Sequence, residues 1–215
     1  MKPNSIEPRR ISLFQRIKNK IRYGLVFQVL RNKLSKLGFE FIPYYWVQEG
    51  TSDICLPSVQ GDTYGLSVVF LKEDDMKTLG ENSRGYLEEE LIGWLTKGKK
   101  CLGLKQFDDI IAFMWIDFNE CSFKPNKIPL KNNECYLSDM YTMEAFRGRN
   151  LATYLRYQSY DILRNMGRDT IYSVSEYFNK SAIKYKQKLN AKNIRLVLFI
   201  RLFRKVKICY TIRSF

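Results

Sequence analysis

Histidine is absent from the 215 residues. No imidazole can therefore serve as general base, general acid or metal ligand. Cysteine is present but unorganised. Cys55, Cys101, Cys121, Cys135 and Cys209 include no C-x-x-C pair, which favours buried thiols in a reducing compartment over a disulfide frame or a metal site. A cysteine nucleophile would lack its usual histidine partner. Acidic residues are few, 22 against 36 Lys and Arg, and the net charge is +14. Long apolar runs are missing too. Gly24 to Leu30 is too short to span a bilayer and runs into basic residues with no cleavage site, and the apolar stretch Arg195 to Phe203 is interrupted by Arg201. These absences predict a metal-free cytoplasmic protein.

What is present is unevenly spread. Residues 1–38 hold ten Lys and Arg against Glu7 alone, a local charge of +9. Two helical stripes run through this segment. Phe14, Ile17, Ile21 and Leu25 form one; Tyr23, Val26, Phe27, Leu30, Leu34 and Leu37 form the other. They change phase near Gly24, so two helices or one broken helix are expected, each with a basic outer face. A basic amphipathic helix suits an anionic membrane surface, which makes peripheral contact with the inner membrane face one expectation. Packing of the same stripes on the following domain is the other. Nucleic acid is a weaker third candidate, because no aromatic-interleaved basic motif accompanies the charge.

Phe39 to Gln48 is aromatic and β-prone, with Pro43 favouring an edge or a bend. Gly50 to Thr63, rich in Gly, Ser, Asp and Pro, reads as a linker. The chain thus divides into a basic helical extension with its linker over 1–62 and a domain over 63–215. Within the domain, patterning predicts a strand at Tyr64–Leu71, a helix opening on Glu73-Asp74-Asp75 and a second helix over Arg84–Lys97. Strands follow at Lys100–Gln106 and Ile110–Phe118. Strand Thr170–Ser175, helix Asn179–Leu189 and a closing pair of strands at Ile194–Phe203 and Lys207–Ile212 complete the pattern.

The most informative stretch is Tyr136 to Leu155, YLSDMYTMEAFRGRNLATYL. Strict alternation would put Tyr136, Met140 and Thr142 on one face of a strand and Leu137, Asp139, Tyr141 and Met143 on the other. A turn, Arg147-Gly148-Arg149-Asn150, then opens a helix with Leu151, Leu155, Ile162 and Met166 on one side, stopping at Asn165-Met166-Gly167. Gly and Asn tolerate positive φ, so such a turn can aim several N–H groups at one point. The helix adds its unpaired N-terminal donors and dipole, and the two arginines add charge. That is a receptor for a diphosphate.

The turn Arg147, Gly148, Arg149, Asn150, Leu151, Ala152 resembles the Q/R-x-x-G-x-G/A signature of the GNAT superfamily of N-acyltransferases, with Asn150 in place of the middle glycine. The wider string YLSDMYTMEAFRG is similar to YLEDxxVMxxxRG of its polyamine-acetyltransferase branch. The segment from Asn179 to Ala191 resembles a second family motif, N-x-x-A-I-x-x-Y-x-K-x-G-A/F. The resemblance covers roughly the last 150 residues. It implies an α+β fold with a mixed, mostly antiparallel sheet flanked by helices, here carrying the basic helical extension.

It further implies direct attack of an amine on an acyl-coenzyme A thioester, with acetyl-CoA or another acyl-CoA as co-substrate and no metal. In the family the turn holds the diphosphate and the preceding strand, here Met140, Tyr141 and Thr142, pairs with the pantetheine arm. That strand usually carries a bulge whose N–H polarises the thioester carbonyl, and Asn179 would lie beside the arm. The branch often places a Glu before the strand Asp; here Ser138 takes that position and Asp139 remains. Asp139 or Glu176 is the candidate base. The motif tyrosine that would protonate the leaving thiolate falls at Lys186, with Tyr185 one residue earlier, so Tyr185 is either the acid or a core residue. The acceptor is expected to be a small-molecule amine, and the basic charge of this chain disfavours a polycation.

Overall fold

The computed structural model describes residues 35, 38–50, 54–82, 85–123, 126–203 and 205–215. The two helical stripes expected within residues 1–37 lie outside the described residues. Among the described residues, ten strands and four helices follow one another: β1 Phe39–Glu49, β2 Leu66–Leu71, α1 Glu73–Asn82, α2 Glu88–Thr96, β3 Lys100–Gln106, β4 Asp109–Asp117, β5 Glu120–Phe123, β6 Asn126–Pro129, β7 Glu134–Thr142, α3 Leu151–Asn165, β8 Thr170–Glu176, α4 Lys180–Lys188, β9 Lys192–Leu202 and β10 Val206–Ser214. A single 3-10 turn, Glu144–Phe146, links β7 to the turn before α3.

Eight strands form one sheet in the order β10-β9-β1-β8-β7-β4-β3-β2, and β5 and β6 form a separate hairpin. Every neighbouring pair in the large sheet is antiparallel except β7 and β8. The chain is therefore the α+β type expected. β4, with Ile110 to Asp117 buried, reads as a continuous apolar run because both of its faces are covered. On one face α3 closes a core of Leu102, Leu104, Met114, Leu155, Leu163 and Ile171. On the other, α1 and α2 bring Met76, Leu79 and Leu91 against Phe113 and Trp115. Leu71 approaches the main chain of Gly103 so closely that an added Cβ there would lie 2.5 Å from it.

Helix ends follow their local sequences. α1 and α2 each carry three acids in the first turn, where the dipole favours them. The Leu87 N–H donates to the Glu90 carboxylate at 3.1 Å. α3 ends in a Schellman motif: Gly167, at φ 76, donates to the Arg164 carbonyl, and Arg168 donates to that of Leu163, both at 2.9 Å.

Two expectations are corrected. Phe39–Glu49 is neither an edge nor part of a separate extension; it is an interior strand, paired with β9 over most of its length and with β8 from Tyr44 onward. The division expected at residue 62 therefore cuts off a central strand. Pro43 is tolerated because it faces Tyr177, just past the end of β8: its carbonyl accepts from Tyr177 N–H, and the one bond its missing donor forfeits lies beyond the last rung of that pairing. Two of the five cysteines, Cys55 and Cys209, are exposed, whereas Cys101, Cys121 and Cys135 are buried. Burial pushes the Cys101 and Cys121 thiols up, so these stay protonated.

Candidate active site

The site begins where β7 and β8 part. Their parallel pairing runs from Glu134 opposite Thr170 to Leu137 opposite Ser173 and then stops. β7 continues to Thr142 along β4, and β8 continues to Glu176 along β1. The strands diverge because each keeps its outer partner. Ser138–Thr142 and Val174–Glu176 are left as the two walls of an opening in the sheet.

A bulge shapes the β7 wall. Phe113 faces Tyr141 and Trp115 faces Ser138, so Asp139 and Met140 together oppose the single residue Met114. Asp139 takes φ 46, a conformation that Asp accepts more readily than most residues. The bulge overturns the strict alternation expected from sequence. Met140 joins Leu137 against the α3-side core, and Tyr141 packs on the α1–α2 side. The Asp139 carboxylate accepts from the Tyr86 hydroxyl at 3.4 Å.

Ladder alternation separates the three residues expected to pair with an extended substrate arm. Met143 donates to the Ile111 carbonyl, so Tyr141, two residues earlier, also turns its main chain toward β4. The main chain of Thr142 faces the opening instead, and its carbonyl accepts from Arg147 Nε at 3.1 Å. On the β8 wall the same reasoning applies. Tyr177 donates to Pro43, so residues 173 and 175 bond to β1 while Val174 and Glu176 turn toward the opening. Asp139 and Glu176 thus stand on opposite walls beyond the last shared rung.

The turn that opens α3 follows at the end of the β7 wall. Gly148 and Asn150 take φ 90 and 65, the left-handed values that the Gly/Asn composition predicted. Among the described residues, the N–H groups of Gly148, Arg149, Asn150, Leu151 and Ala152 meet no protein acceptor. The α3 dipole adds to them. Leu151 itself is buried in the core, and it and Ala152 could serve a ligand only through their main chain.

The arginines do less than expected. Arg149 is committed to the segment over 54–62: Nε donates to the Gln60 carbonyl at 3.0 Å, one terminal nitrogen to the Asp62 carbonyl, and the other to Gln106 Oε1 at 3.3 Å. Asn150 donates to the Ser58 carbonyl at 2.9 Å and accepts from Lys188 Nζ at 2.9 Å and from the Thr153 hydroxyl at 2.7 Å. Its side chain is thus turned away from the amides. Arg147 folds back on β7, pairing with Glu144 at 3.2 Å and lying 5.3 Å from the centre of the Tyr141 ring. The free donors at this turn are therefore main-chain ones, and Arg149 acts as a clasp. Asn179 caps α4, its side-chain oxygen accepting from Ala182 N–H at 3.1 Å.

Sequence reasoning missed a buried charge cluster beside the β8 wall. Arg156 grips Glu49 through two nitrogens at 2.8 and 3.0 Å, and the Tyr160 hydroxyl donates to the same carboxylate at 2.8 Å. The Ser173 hydroxyl meets the other carboxylate oxygen. Lys186 donates to Ser173 Oγ at 2.7 Å and to the Val174 carbonyl at 3.0 Å, the carbonyl that faces the opening, and lies 3.5 Å from Glu49. All five side chains are buried.

Burial alone would raise the Glu49 carboxyl, but the Arg156 and Lys186 charges and the hydrogen bonds outweigh it and hold it at about 2. Glu49 is already matched by Arg156, so the second cation is in surplus. Burial, aided by repulsion from Arg156 and only partly offset by Glu49, pushes Lys186 down to about 7. Tyr185 packs partly buried against the α3-side core, with its ring centre 5.9 Å from the Arg156 guanidinium. Lys186 reaches the wall of the opening with its ammonium group, at the Val174 carbonyl. The clue was in the sequence: Lys186 fills the tyrosine slot of the second motif, and Asn190, at φ 50, fills its glycine slot.

Over residues 68–190, more than half of its length, the sequence matches the model of the acetyltransferase (GNAT) family, and the chain belongs to that family. Solved structures agree on the fold. A GNAT acetyltransferase from Colwellia psychrerythraea is 13% identical, with a TM-score of 0.58 over 76% of this chain and 57% of that one. One from Novosphingobium aromaticivorans is 20% identical, with a TM-score of 0.52 over 77% and 66%. The GCN5-related glucosamine N-acetyltransferase region of a fungal multi-domain GH3 β-N-acetylglucosaminidase is 11% identical, with a TM-score of 0.57 over 81% and 23%. The chain thus spans less than two thirds of each of these proteins. No curated protein matches it by sequence. Among the described residues, no helix is long and apolar enough to cross a membrane, and no group of His, Cys, Asp or Glu is gathered as a metal would need.

Proposed function

We propose that this chain transfers an acetyl or other acyl group from coenzyme A to a primary amine. One observation carries the reading: β7 and β8 part after Leu137 and Ser173, beside a bulge at Asp139 and just ahead of a turn with unpaired amides. The amides of Gly148 to Ala152 hold the diphosphate, and the opening receives the extended arm as an added strand. The bulge presents an N–H to the thioester carbonyl. A donor fixed in advance toward the developing oxyanion contributes about 3 kcal/mol.

The free amine arrives mostly protonated, since an alkylamine has a pKa of about 10. Asp139 or Glu176, from opposite walls, accepts that proton directly or through water. Attack forms the amide bond and breaks the carbon–sulfur bond, leaving a thiolate that takes up a proton. Lys186, held at the opening and titrating near neutrality, suits that donation better than Tyr185 in the core. The +14 charge favours an anionic acceptor, such as a nucleotide-linked amino sugar or a lipid-linked amine, over a polyamine.

Release of free thiol from acetyl-CoA across a panel of amines tests the reading. Turnover with an anionic amine is expected; absence of turnover with every class, together with absence of coenzyme A binding, contradicts it. A second reading is a non-catalytic coenzyme A-binding adaptor that docks an anionic partner through its basic N-terminal segment. The engagement of Asp139 by Tyr86 and the core position of Tyr185 favour it. Tight coenzyme A binding without turnover on any amine supports that alternative.

A further inference from the structure

Charge and apolar exposure coincide at one end of the sheet. From Lys192 to Phe215 the sequence holds seven Lys and Arg and no Asp or Glu. With the +9 of residues 1–38, this leaves residues 39–191 slightly acidic, so the whole excess of positive charge belongs to the two chain ends. In the sheet β1, which begins at Phe39, lies next to β9, and β10 is the edge strand beyond.

β10 is exposed from Val206 to Ser214. In the strand register, Val206, Ile208 and Tyr210 lie beside Leu202, Ile200 and Leu198 of β9. Those in turn lie beside Phe39, Phe41 and Pro43 of β1, so three strands present one apolar face. Tyr210 is 64% exposed, Ile208 47% and Phe41 42%, with Phe203 at 67% and Phe215 at 57% on the margin. α3 and α4 cover β3, β4, β7 and β8, but nothing described covers β10. Lys205, in the turn before β10, and Arg213, paired with Leu196, border the face, and Lys207 sits on the other side of the same edge strand. β9 holds no acid, and the two acids of β1 are both paired, Glu40 with Arg201 at 2.9 Å and Glu49 with Arg156 at 2.8 Å.

Several partners fit one half of this surface and not the other. A nucleic acid would engage the cations but give the isoleucine, valine and phenylalanine side chains nothing to bury against. A second copy would cover the apolar face but set one cationic border against another. An anionic lipid surface satisfies both, because aliphatic and aromatic side chains enter the headgroup–acyl boundary while Lys and Arg meet the headgroups. We propose that the β1–β9–β10 end of the sheet is a docking face for an anionic lipid bilayer. This contact belongs to the folded domain and adds to any made by the stripes in residues 1–37. It stands independently of the acyl-transfer reading.

The test is cosedimentation of the full chain with vesicles of phosphatidylcholine alone and of phosphatidylcholine mixed with phosphatidylglycerol. Binding is expected to the mixed vesicles only and to weaken with salt. Ile208→Asp with Tyr210→Asp should weaken it at least about tenfold, as should Lys205→Glu with Lys207→Glu and Arg213→Glu. Circular dichroism melting confirms that each variant folds. The charge-reversal set alters only exposed side chains and keeps the test decisive should the apolar pair fail to fold. Wild-type-like binding by the charge-reversal set, equal binding to neutral vesicles, or no vesicle binding at all would overturn the proposal. So would a concentration-dependent dimer that these substitutions dissociate, which would assign the face to a second copy.

Discussion

Arg149 and Gln60 clasp each other in both directions: the guanidinium donates to the Gln60 carbonyl at 3.0 Å, and the Arg149 carbonyl accepts from Gln60 N–H at 2.9 Å. Together with Asn150 and Ser58, this pair lays the segment over 54–62 against the turn that opens α3. An arginine that looks from sequence like an anion ligand is thus a fastener. Arg149→Ala should therefore loosen the segment more than it weakens the anion site. Limited proteolysis should cut near residues 54–62 faster in the variant, while calorimetry should find the coenzyme A dissociation constant raised by less than about tenfold, one exposed charge being worth about 1 kcal/mol.

The buried pair of Glu49 and Arg156 should be far less tolerant. Removing one partner of a buried ion pair leaves an uncompensated charge and costs about 3–5 kcal/mol. Arg156→Met strands Glu49 with Lys186 alone; Lys186→Met leaves both Arg156 bonds to Glu49 in place. Urea unfolding should show the first variant much less stable than the second.

The cluster also sets a pH dependence of the same sign in two separate windows, stability rising with pH in each. Glu49 titrates at about 2 in the folded chain against an ordinary 4.5, so the folded state resists protonation. Its contribution is present above 4.5 and is lost as pH falls toward 2. Lys186 titrates at about 7 against an ordinary 10.5. Between those values the unfolded chain binds a proton that the folded chain does not, so stability from this group rises with pH over that window. Melting temperatures taken from pH 7 to 10 should climb in the wild type relative to Lys186→Met, in which that rise should vanish.

The same variant bears on catalysis. If Lys186 supplies the proton to the departing thiolate, Lys186→Met should lower kcat by about a hundredfold or more. It should also remove the limb of the pH–rate profile near neutrality and leave coenzyme A affinity nearly unchanged. Tyr185→Phe should leave kcat within a few-fold of wild type.

Much of this was legible in the sequence, for local reasons. The α3 turn, its left-handed Gly148 and Asn150, and the stop at Gly167 each depend on residues within one turn of one another, and the structure places them as the pattern predicts. The paired strands β3–β4 and β9–β10 were visible through their apolar runs. Long-range pairing was not. Glu49 and Arg156 lie 107 residues apart, so no spacing rule joins them. Pro43 suggested an edge strand because the sequence cannot show where β8 would end beside it. The bulge at Asp139 depends on the register against β4, and the four-residue strands of the β5–β6 hairpin are too short for periodicity to register.

The central claim is that main-chain amides at the start of α3 hold a diphosphate. Calorimetry of the full chain with coenzyme A, 3′-dephospho-coenzyme A and pantetheine tests it most directly, because only pantetheine lacks the diphosphate. Binding of both nucleotide forms with similar affinity, and of pantetheine at least about a hundredfold more weakly, is the predicted result, as befits loss of several charge-assisted hydrogen bonds. Pantetheine binding as tightly as coenzyme A, or no binding of coenzyme A, would contradict it.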